Sequence, residues 1–91
     1  MEQTKITLES LSMDLLRVAL GYHRGSTTMA KRFSEEALKR IDEIDAKAIK
    51  PYLARILSKL PSILENSDTT RIAEDTLMYS TICKNYAKKF L

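Results

Sequence analysis

From residue 8 to residue 22, apolar side chains recur in alternating steps of three and four. Leu8, Leu11, Leu15, Val18 and Tyr22 fall on one face at about 3.6 residues per turn, which predicts a helix from about Thr7 to Arg24. Ser10, Asp14, Arg17, Gly21 and Arg24 fall on the opposite side. Between the two faces lies a second apolar row, Met13, Leu16 and Leu20. A helix apolar over so wide an arc is either central to a bundle or covered by another molecule.

Gly25-Ser26-Thr27-Thr28 breaks the pattern: Gly25 suits a left-handed cap, and Ser26 or Thr27 suits the free amides of a following helix. That second helix is predicted from Thr28 to Ile44, with Ala30, Phe33, Ala37, Ile41 and Ile44 inward. Lys31 with Glu35, Glu36 with Arg40 and Glu43 with Lys47 stand four residues apart, the spacing of side-chain pairs on a solvated face. Asp45 to Lys50 is a second break, closed by Pro51, which disfavours helix in Lys50 but suits a first helical position itself. Helix three then carries Leu53, Ile56, Leu57 and Leu60. Because Leu64 continues its stripe past Pro61, it reads either as one kinked helix or as two short ones meeting at Leu60. Ser67 or Asp68 caps a fourth helix from Thr69 to near Leu91. Its inward stripe is Ile72, Thr76, Tyr79, Cys83, Tyr86 and Phe90, broadened by Ile82 and Ala87.

These segments predict an all-α fold, a small four-helix bundle occupying residues 1–91 as one domain. The composition agrees: 44% hydrophobic and 30% charged residues describe a globular chain, and two glycines and two prolines leave little material for hairpins. Cys83 is the single cysteine, so no internal disulfide can form, and a reducing compartment is expected. No run approaches about 18 apolar residues, and Met1 to Lys5 are polar; a cytoplasmic protein with no membrane partner is the expectation. Few amides (Gln3, Asn66 and Asn85) beside many Lys, Arg and Glu lean toward a thermophilic source.

Candidate chemistry is sparse. His23 is the only histidine, and its place near the end of helix one suits a capping or surface role. Cys83 on an inward stripe reads as a small buried hydrophobe. The acid pairs Glu35-Glu36 and Glu74-Asp75, and the run Asp42, Glu43 and Asp45, are interleaved with basic residues and read as surface. No catalytic, cofactor-binding or metal-ligating set is expected, and no enzyme. The net charge of +3 is modest. Arg24, Lys31 and Arg32 flank the turn between helices one and two and form a candidate anion or nucleic-acid site. The acids Glu35, Glu36, Asp42 and Glu43 on the same helix oppose phosphate binding.

The wide apolar surface of helix one carries the strongest functional signal. It predicts a non-enzymatic interaction or assembly module that packs Met13, Leu16 and Leu20 onto a second copy, as a homodimer, or onto another helical protein. Tyr22, Tyr52, Tyr79 and Tyr86 suit such an interface, or the rim of the bundle. The alternative is a nucleic-acid-binding protein using the basic residues of the first turn.

Overall fold

A computed structural model of the chain describes residues 2–91. It is built from α1 (Glu2–His23), α2 (Thr27–Glu43), a short 3-10 turn (Ala46–Ala48), α3 (Pro51–Ser58), α4 (Leu60–Leu64) and α5 (Thr69–Phe90). No strand occurs among the described residues. The molecule is elongated, 36 × 19 × 19 Å. Its long axis matches the roughly 33 Å of a 22-residue helix, the length of both α1 and α5.

α1 begins five residues before the position its leucine pattern marks. Nothing from Glu2 to Ile6 breaks a helix, Glu2 places an acid in the first turn, and Gln3 Nε2 donates to Thr7 Oγ1 at 3.4 Å. The helix ends where Gly25 takes a positive φ of 77° and the Ser26 amide bonds back to the Gly21 carbonyl at 2.7 Å. At the start of α2, Ser26 makes no side-chain cap. Asp68 does cap α5, its Oδ1 accepting from the amides of Thr70 (3.0 Å) and Arg71 (3.2 Å).

The third column is two pieces of one bent helix. Pro51 stands at its first position. The break falls at Lys59, just upstream of Pro61, which lacks the amide that would have bonded the Leu57 carbonyl. Both pieces still point leucines inward: Leu53, Leu57, Leu60 and Leu64 are all buried.

α1 runs antiparallel to both α2 and α5 and packs along each of them, while α4 touches α5 and α2. The columns thus surround one core in chain order, with α1 diagonal to the bent third column. Leu8, Leu11, Leu15 and Val18 of α1 meet Leu53, Leu57 and Leu60, Ile72, Tyr79, Cys83 and Tyr86 there.

Two contacts show how closely α1 is held. On its α5 side, Ser12 Oγ donates to the Ser80 carbonyl and Ser80 Oγ donates to the Ser12 carbonyl, both at 2.8 Å. On its α2 side, Gly21 lies so near α2 that a Cβ there would meet the Ala30 backbone nitrogen at 2.9 Å. Asp14 and Gly21, which periodicity assigns to the polar side, are accordingly buried. That side of α1 is covered by α2. Gly21→Ala is expected to cost about 1–3 kcal/mol, because a backbone rather than a flexible side chain must move. Urea unfolding measures it, and an unchanged midpoint would contradict the close approach.

Candidate functional site

The second apolar row of α1 stays at the surface. Met13 is 46% exposed, while Leu16 and Leu20 are half-buried. They form one wall of a shallow groove between α1 and α5. At one end it is lined by Glu9, Ser12, Met13, Leu16, Ser80 and Lys84, and at the other by Ala19, Leu20, His23, Ala73, Glu74 and Leu77. Leu77 is 51% exposed, and Ile6 continues the outer row of α1 toward its amino end. Each end of the groove carries one acid and one basic or titratable side chain, Glu9 with Lys84 and Glu74 with His23.

Leu77 was not singled out by the inward stripe of helix four because it lies out of phase with it. The signal available was the Leu77-Met78 doublet, two large apolar residues on the side that should be polar.

Arg24, Lys31 and Arg32 are all exposed, and none of them takes part in an ion pair among the described residues. The four-residue pairs expected along α2 are replaced by other partners. Lys39 meets Glu36 at 3.8 Å, and Arg40 meets Glu43 at 4.0 Å. Arg40 also turns toward α1, its Nε 3.6 Å from Asp14 Oδ2, and Arg17 Nη1 lies 3.8 Å from Asp14 Oδ1 while its guanidinium covers the Phe33 ring. Arg40 thus spans two helices.

Asp14 Oδ2 and Arg40 Nε are both buried and lack a formed hydrogen bond. Burial raises the Asp14 pKa above its ordinary 3.8, against the pull of Arg40 and Arg17. The folded chain therefore keeps this proton over a pH range in which the unfolded chain has released it. Stability falls as pH rises from about 3.8 through the raised value and is level above it. Thermal melts between pH 3 and 7 should show the wild type losing ground to Asp14→Asn across that window; a gain with rising pH would refute the assignment.

Cys83 is fully buried in the core, and desolvation pushes its thiol up to about 12. His23 is exposed at the end of α1. The two are not brought together as a nucleophile and base, and no group of three or more metal-ligating side chains forms among the described residues. Native Cys83 is expected to react with a thiol reagent at pH 8 roughly a thousandfold more slowly than in urea, following the lost thiolate fraction. Equal rates would place it at the surface.

A second surface feature lies at the opposite end of the molecule from the first turn. Phe90, in phase with the inward stripe of α5 and so expected inside, is 40% exposed, while Leu91 after it packs against the core. It stands beside Tyr86, which stands beside the exposed Tyr52 of α3, with ring centroids 4.9 and 6.0 Å apart. No helix of the described residues is long and apolar enough to cross a membrane. Comparison with protein-family models, curated proteins and solved structures finds no match to this chain.

Proposed function

We propose that this chain is a non-enzymatic helical assembly module that pairs with a second copy of itself through the α1–α5 groove. The observation that carries the reading is the apolar row along the groove: Met13 and Leu77 are exposed on its two walls, with Leu16 and Leu20 half-buried between them. Its charges favour a copy over an unlike partner. With one acid and one basic or titratable group at each end, the groove is near neutral and complementary to itself when turned about a two-fold axis. Two such faces meeting would bury the row as a second small core, with Glu9, Lys84, His23 and Glu74 at its rim.

A cytoplasmic setting fits the single buried cysteine. A second reading, nucleic-acid binding through Arg24, Lys31 and Arg32, is supported by the exposure of all three without ion-pair partners.

Sedimentation equilibrium tests the assembly. The wild type is expected at twice its 10.4 kDa chain mass, and Met13→Glu and Leu77→Glu are each expected to return it to one chain with unchanged helicity. Both positions are exposed, so neither substitution endangers the fold. A wild type that stays at one chain mass across concentration would end the proposal.

A further inference from the structure

The geometry points to a binding site for single-stranded nucleic acid where the carboxyl end of α5 meets the start of α3, bases stacking on Tyr52 and Phe90 and phosphates meeting Lys50 and Lys89. The site is distinct from the α1–α5 groove and from the first turn, and it does not rest on self-association.

Three observations converge there. The first is a groove of about 290 Å³ lined by Tyr52, Ile82, Asn85, Tyr86, Lys89 and Phe90, without a carboxylate side chain. Its two outer rings, Tyr52 and Phe90, are 41% and 40% exposed. The second is charge. Lys50 and Lys89 are exposed, as is Lys47 before α3, and none is ion-paired among the described residues. The negative half-charge of the α5 carboxyl end, about −0.5, offsets a fraction of one lysine. The third is rigidity. Tyr86 is buried, and its hydroxyl accepts the Lys50 backbone amide at 2.9 Å, which ties the start of α3 to α5 and holds the rings in a fixed row.

At present two lysines use the Phe90 ring. Lys50 Nζ lies 4.5 Å and Lys89 Nζ 5.4 Å from its centroid. A cation over an exposed ring is held weakly, whereas a base stacked on the same ring is held more strongly. A base arriving at Phe90 would therefore displace an ammonium group that is then free to meet the adjoining phosphate. Flat faces alternating with lysines suit a strand whose bases are unstacked; a duplex keeps its bases stacked on one another and offers only phosphates. Asn85, with both a donor and an acceptor, adds contact to base edges without sequence preference.

Fluorescence anisotropy with a labelled dT12 strand at 50 and 200 mM salt tests the site. The wild type is expected to bind the strand more tightly than a duplex of equal length. Tyr52→Ala and Phe90→Ala should each weaken binding by about tenfold, and Phe90→Leu, which keeps apolar cover but loses the flat face, should behave as Phe90→Ala does. Circular dichroism checks that each variant is folded. Lys50→Gln with Lys89→Gln should flatten the salt dependence by about 1.4 in the slope of log K against log salt. The triple variant Arg24→Gln, Lys31→Gln and Arg32→Gln should leave binding within about twofold. The proposal is overturned if the duplex binds as well, if the ring variants bind like wild type, or if only the triple variant loses affinity, which would move the site to the first turn. Displacement of the strand by polyglutamate of equal charge would overturn it too, in favour of an acidic protein surface.

Discussion

The exchange of hydroxyl hydrogen bonds between Ser12 and Ser80 sets the registry on which the long axis of the molecule depends. Each serine donates into the backbone carbonyl beneath the other, using the second lone pair left free by the helical bond. Side chains this short reach the opposite backbone only when the two helices lie close together. Once those residues are opposed, the rest of the antiparallel pair follows: Leu20 and His23 come beside Ala73 and Leu77 at one end, and Glu9 beside Lys84 at the other. A separate bond, from the Lys50 amide to the Tyr86 hydroxyl, ties the start of α3 to α5.

The other flank of α1 is fixed by different means. Gly21 and Ala30 allow a near-contact of backbones, and two turns earlier Asp14 is buried facing Arg40. A buried ion pair is poor evidence of stability, since taking both charges from water offsets much of their attraction. The rise in the Asp14 pKa says that here burial wins. What the pair supplies is registry: sliding α2 by one turn would leave a carboxylate under α2 with no cation opposite. A central helix packed on both long sides needs small residues on both, and α1 has them in Ser12 on one and Gly21 on the other.

Much of this was legible in the chain. The leucine steps of α1, Gly25, Pro51 and the Asp68 cap locate the helices, with the largest miss the five residues by which α1 starts early, because each is a local preference of the backbone. Asp14 and Gly21 were misplaced for the opposite reason. Periodicity sorts residues by polarity about one axis, and it has no means of knowing that a second helix will cover the polar arc. Phe90 shows the reverse failure, since its phase is that of the core but it lies 40% exposed at the end of α5. The Lys31-Glu35 spacing was real, yet an exposed pair at that distance gains only a few tenths of a kcal/mol, too little to hold two long side chains together. Met13, Leu16 and Leu20 stood out in the sequence because they formed a row with no partner in the pattern. Leu77 and the Tyr52-Tyr86-Phe90 row required knowing which helices are neighbours.

The cyclic order of the columns has a further consequence. In a ring of four, adjacent members share one face with the centre and one with the outside, and the two remaining members stand wholly behind the first. The seam where α1 and α5 meet on the outside is therefore beyond the reach of α2 and of the bent column, however those are repacked. Only a fifth rod can lie along it, and within residues 2–91 there is none left to supply it.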